Sequence, residues 1–197
     1  MPPVIDATVG GPNANSYLTQ AEANAYFDTR PPLPTPWQTT GDPAIRLIIQ
    51  ATRVFDALAQ PLKTLFVDTG RVYYRVRPMW TGVAAGGTQR LAWPRAGMFD
   101  QNGFAISPAV IPQTLKDATA ELAGQLGIQD RTLDNDVIIQ GIKSVRAGSV
   151  GVSFKDDIMA QVIPDFVYNM IPITWLTEET YEPAIPAIFD VIGGDLA

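Results

Sequence analysis

Seventeen prolines divide this 197-residue chain, and they decide where it can be helical. Proline fixes its own φ, supplies no backbone N–H and pushes the residue before it out of helical conformation. Residues 30–36 hold four prolines and so can form neither a helix nor a central strand. Elsewhere a proline opens a helix. Asp42-Pro43 reads as an N-cap followed by proline at the first helical position. Behind it Ile45, Ile48, Ile49, Thr52, Phe55 and Leu58 recur at helical spacing as far as Pro61. The predicted helix is 43–60. Pro112 opens a second run, in which Leu115, Ala118, Thr119, Leu122, Ala123 and Leu126 line one face and Gly127 ends it, giving a helix over 112–126. Thr19 followed by Glu22 fits a capping box and starts a shorter helix over 20–28.

Two other regions read as β. Over 66–80, Val72, Tyr74 and Val76 alternate with Arg71, Tyr73, Arg75 and Arg77 behind an Asp68-Thr69-Gly70 turn. Residues 137–154 read as a hairpin turning near Ala147-Gly148. Gly82 to Gly87 reads as a mobile tip. The expected fold class is thus a mainly α helical-bundle body with a small β-hairpin element and an extended C-terminal arm. The body spans 1–155. Residues 156–197 form a short helix beginning at Pro164 and then the arm. Charge marks the same division: residues 1–155 hold all 14 basic side chains and 12 acidic ones, while 156–197 hold 8 acidic and no basic ones.

The composition is poor in chemistry. There is no Cys and no His, which removes disulfides, thiolate ligands, the commonest general base and the His-based triads. Asp134 with Asp136, Asp156 with Asp157 and Glu178 with Glu179 are paired carboxylates, but each sits at turn signals where Asp and Glu have local reasons to occur. The glycines of 82–87 lack the following Lys-Ser/Thr that a phosphate loop requires. We therefore expect no catalytic, metal or cofactor site. No apolar run approaches membrane-spanning length, and no leader signal is visible at the N-terminus, so a soluble protein is expected.

Three groups of residues invite a binding role. Trp93, Pro94, Arg95 and Gly97 form a rigid extended anchor, with Trp93 expected to be buried and Arg95 to bond carbonyls or a carboxylate. Arg71, Tyr73, Arg75 and Arg77 share one face of a strand. That face suits an electrostatic contact with an acidic partner, or stacking and phosphate contact with single-stranded nucleic acid. In the C-terminal segment Trp175, Leu176, Tyr181, Ile185, Ile188 and Phe189 are more apolar than a tail built for solubility needs, and they want a partner surface.

Several blocks together resemble a known family. They are Ala14-Asn15-Ser16-Tyr17 ahead of Ala21-Glu22-Ala23, Ala51-Thr52-Arg53, residues 89–97 with their Trp-Pro-Arg, Asp100 with Gly103, Ile111-Pro112, and Lys116 with Glu121. Over about residues 5–155 the chain resembles tailed-bacteriophage head–tail connector adaptor (head completion) proteins, some of which are labelled DnaT-like. The resemblance implies a mainly helical subunit of a homo-oligomeric ring, usually a dodecamer, at the head–tail junction of the virion. Such a ring docks on the portal protein, receives a downstream tail or nozzle protein, and encloses double-stranded DNA; its subunits are made in the bacterial host cytoplasm. A net charge of −6 fits a channel wall that lets DNA slide, because phosphate contacts would hold it. The alternative is a single-stranded nucleic-acid-binding protein using the Arg-rich strand.

Overall fold

The computed structural model describes residues 3–32, 37, 41–59, 63–68, 71–76, 78–129, 144–147, 150–153, 162–178 and 180–183. Arg77, Ile185, Ile188 and Phe189 lie outside them, as do the Asp134–Asp136 and Asp156–Asp157 pairs.

Among the described residues four helices form the body, which is the mainly α class that the sequence leads one to expect. α1 spans Gln20–Asp28 and begins with the complete capping box: the Thr19 hydroxyl accepts from the Glu22 N–H, and the Glu22 carboxylate accepts from the Thr19 N–H. α2 spans Asp42–Asp56 and tightens into a 3-10 turn over Ala57–Ala59. Its N-cap is Gly41 rather than Asp42. Gly41 adopts φ +89°, and Asp42 sits inside the first turn, where its charge favours the helix dipole and faces Arg46 at 3.9 Å.

α3 spans Gln113–Ile128 and is the central helix, packing on α1, on α2 and on α4 (Asp165–Tyr168). One buried stripe was the expectation from its pattern. Instead residues 118–124 are all buried, Glu121 among them, because neighbours lie on several sides. Gly127 does not end the helix. It lies within it, and a Cβ there would come within 3.1 Å of Leu47 Cδ1 on α2, so the glycine serves close helix approach.

Among the described residues the β structure falls into three small sheets. β1 (Lys63–Asp68) and β2 (Arg71–Val76) pair antiparallel, and β7 (Thr180–Pro183) adds to the other side of β2, giving the order β1-β2-β7. Among the described elements these three strands pack only on one another. β3 (Val83–Ala84) pairs with β4 (Arg95–Ala96), and β5 (Ser144–Ala147) with β6 (Val150–Ser153). The expected mobile tip is tied down: β3 is paired, and the Gln89 side chain accepts from Gly86 N–H while donating to the Leu91 and Pro94 carbonyls.

Residues 162–178 belong to the body rather than to a free arm. Val167, Ile171, Trp175 and Leu176 join a core that also holds Tyr17, Ile48, Phe55, Trp80, Trp93, Leu115 and Leu122.

Candidate functional site

Trp80 and Trp93, thirteen residues apart, meet Trp175 from far along the chain at one point. Trp93 lies edge-on to Trp80 at 5.6 Å between centroids and tilted against Trp175 at 5.0 Å. All three are buried. Trp80 Nε1 donates to the Phe55 carbonyl and Trp175 Nε1 to the Phe99 carbonyl, each satisfying the one donor that a buried indole carries. Trp93 Nε1 is buried with no hydrogen-bond partner among the described residues. The Trp93–Pro94 peptide is cis.

Arg95 is folded inward, 8% exposed. Its guanidinium donates to three carbonyls: Thr81 at 2.6 Å, Gly82 at 2.8 Å and Ala92 at 3.2 Å. No carboxylate stands among these partners. Burial therefore holds the guanidinium pKa below its ordinary value, with Tyr17 opposing weakly. The arrangement clamps the 81–82 and 92–95 backbones together, which a planar five-donor group does well. Gly82 and Gly97 supply the two left-handed backbone positions of this clamp, at φ +66° and +77°. Asp56 on α2 completes it from below, accepting from the Tyr17 hydroxyl and the Ala92 N–H. Burial, and then the Asp56 charge, raise the Tyr17 phenol well above its usual range, so it remains a donor.

A second buried network fixes α1 to α3. Glu121 accepts from Arg30, from the Tyr26 hydroxyl at 2.9 Å and from Gln125 at 3.1 Å. Burial, with Glu121 adding to it, raises the Tyr26 phenol to about 12. Both networks knit the body together. Among the described residues no group of three or more His, Cys, Asp or Glu could hold a metal ion, and no helix is long and apolar enough to cross a membrane.

The residues singled out as interface candidates are dispersed. Trp93, Pro94, Arg95 and Gly97 are scaffold. Trp175 and Leu176, expected to seek a partner, are 2% and 9% exposed in the chain's own core, because Trp175 fills the space beside Trp93 and Leu176 bridges to Trp80. Arg71, Tyr73 and Arg75 alternate along the central strand of the three-stranded sheet, with Tyr181 opposite Arg75 on β7 and Phe66 opposite Tyr73 on β1. One face of that sheet thus carries two arginine and three aromatic positions drawn from three strands.

Four large apolar side chains that the sequence pattern does not single out are exposed on segments beside the tryptophans. Val83, Phe99, Phe104 and Ile173 are 65%, 52%, 72% and 86% exposed. They sit on segments bonded to one another. Thr81 N–H donates to the Trp175 carbonyl at 2.8 Å, the Thr81 hydroxyl to the Thr174 carbonyl at 3.2 Å, and Asp100 N–H to the Phe104 carbonyl at 2.8 Å, while Phe99 bridges to Ala105. The available signal was two phenylalanines flanking an Asp100-Gln101-Asn102-Gly103 turn, where large aromatics have no core to enter.

A protein-family model described as "Putative DnaT-like ssDNA binding protein" matches residues 1–180. No curated protein and no solved structure matches the chain.

Proposed function

We propose that this chain, which belongs to the DnaT-like ssDNA-binding family, is a structural subunit of a phage head–tail connector, an adaptor that docks on the portal ring, extends the DNA channel and attaches the tail. The observation that carries the reading is the exposure of four large apolar side chains, Val83, Phe99, Phe104 and Ile173, on segments bonded to one another beside the buried tryptophans. Large apolar side chains exposed on neighbouring segments favour a partner surface. The polar networks of the body agree with it: Arg95, Asp56 and Glu121 all direct their hydrogen bonds to holding its shape. The net charge of −6 suits a wall past which DNA moves without being held.

The test is negative-stain imaging and sizing of the purified chain with and without a portal protein. Rings, or a stoichiometric layer on the portal, are expected. A chain that stays monomeric and does not co-sediment with the portal overturns the reading.

A second reading is favoured by one specific feature, the arginine and aromatic face of the β1-β2-β7 sheet, together with the family description. Bases stack on aromatic rings while arginines meet phosphates. It predicts salt-dependent binding of a labelled oligonucleotide, weakened about tenfold by Arg75→Ala. Anisotropy that stays flat at low salt removes it.

A further inference from the structure

We infer that Asn102 is a site of spontaneous covalent modification. In the folded protein its carboxamide condenses with the Gly103 nitrogen, and the succinimide so formed opens to aspartate and isoaspartate.

The chain has six asparagines, and Asn102 alone is followed by glycine. The reaction needs a backbone nitrogen that no neighbouring Cβ shields, a carboxamide free to turn onto it, and a backbone able to give way. Residues 102 and 103 meet all three needs. Both are exposed at the tip of a narrow loop. The stem of that loop is closed by the Phe99–Ala105 bridge and by the Ile106 N–H, which donates to the Met98 carbonyl at 2.9 Å. Gly103 stands at φ +84°, with open space where a Cβ would be. The Asn102 carboxamide has no hydrogen-bond partner among the described residues. Asp100 holds the tip. Its carbonyl accepts from Gly103 N–H at 3.0 Å, and its carboxylate accepts from Asn102 N–H at 2.9 Å and Phe104 N–H at 2.8 Å. The two carboxylate bonds are exposed, so the tip opens without unfolding the body.

The fold withholds the same chemistry elsewhere. At Asn15-Ser16 the carboxamide is bonded at both ends, accepting from Asp6 N–H and donating to the Val4 carbonyl, each at 2.9 Å. The nitrogen that would attack belongs to buried Ser16 and donates to the Asp6 carbonyl at 3.3 Å. Asn24 lies inside α1 and accepts from Trp37 Nε1. Beside Asn169, the Met170 N–H is held by the Val167 carbonyl at 3.1 Å.

The Gly103 nitrogen gives its proton to solvent base and bonds to Asn102 Cγ, while the Cγ–Nδ2 bond breaks and ammonia leaves. Water then opens the ring. Attack at the side-chain carbonyl gives aspartate, and attack at the backbone carbonyl gives isoaspartate, with one more methylene in the main chain. Either product places a new carboxylate two residues from Asp100.

The full-length chain is incubated at neutral and at mildly alkaline pH and then digested. Each asparagine peptide, that of Asn135 included, is read by mass spectrometry for a gain of about 1 Da. Isoaspartate is scored by methyl transfer from labelled S-adenosylmethionine with an isoaspartyl methyltransferase. A synthetic peptide of residues 98–106 in the same buffers sets the unrestrained rate. The gain at 102 is expected to run about fivefold or more ahead of every other asparagine, to speed up with pH and to contain isoaspartate. Asp100→Ala should move the rate toward that of the peptide, and Asn102→Gln should abolish methyl acceptance. No gain at 102 over about ten peptide half-lives overturns the inference, as does a gain matched at another asparagine or one lacking isoaspartate. Loss of the near-UV circular dichroism of the tryptophans before the gain appears also overturns it, by assigning the reaction to the unfolded chain. An Asp100→Ala rate equal to that of the wild type refutes the restraint assigned to Asp100.

Discussion

Arg95 shows how one side chain can organise a loop region without any chemistry. It lies buried against three carbonyls, so its value lies in what those carbonyls lose if it goes. Removing the charge recovers its desolvation cost, but three carbonyls lose their donor, that of Ala92 in a buried setting and those of Thr81 and Gly82 partly buried. Arg95→Met is expected to cost about 3 kcal/mol, read from urea denaturation. The tryptophans give a sharper comparison. Trp80 and Trp175 each spend an indole N–H on a carbonyl, and Trp93 does not. Trp93→Phe should therefore destabilise less than Trp80→Phe or Trp175→Phe, by about 1 kcal/mol, in the same assay. Equal losses at all three positions would show that packing alone decides. Gly82 belongs to the same clamp. A Cβ there would stand 2.5 Å from the Ala96 carbonyl oxygen, at a φ that L-residues avoid, so Gly82→Ala should cost about 2 kcal/mol or more.

At the scale of elements, the decisive fact is that residues 162–178 complete the core while β7 stands apart from it. Truncation after Thr177 should leave the thermal midpoint nearly unchanged. Truncation after residue 161 removes Val167, Ile171 and Trp175 and should abolish cooperative unfolding, as seen by near-UV circular dichroism. The start of α1 carries a pH signature. Burial is the largest influence on Glu22 and opposes its charge, yet the bonds from Lys116 and from the Thr19 N–H and hydroxyl together prevail, and its pKa lies below the ordinary 4.5. A depressed carboxyl contributes stability that is present above its unfolded value and lost as pH falls through the folded one. Glu22→Gln should accordingly flatten the loss of stability below about pH 4.5, followed as the urea midpoint from pH 6 to 3.

For the whole molecule, local grammar and tertiary placement divided the work. Helix positions were legible in the sequence because proline, the Thr19–Glu22 box and apolar spacing act over a few residues; α1 lies where those signals put it. Trp93 and Arg95 were legible as an anchor for the same reason. Burial all round α3, and the use of Gly127 for contact with Leu47 rather than as a stop, depend on which elements surround a helix, and no local pattern encodes that. The same holds for Trp175. An apolar residue in an acidic, proline-rich segment looks alike whether it meets its own core or a partner's, and only the meeting with Trp93 decides between them. β7 is a sharper case, since strand addition across about a hundred residues of chain is fixed by where Thr177 is tied to Met79. The sequence by itself determined the segments, the Thr19–Glu22 capping box and the scarcity of His and Cys chemistry, because these follow from short-range sterics and residue type. Tertiary structure alone decided which apolar side chains are left outside, and so where this protein has a surface to offer, because exposure belongs to the packed arrangement and not to any residue in it.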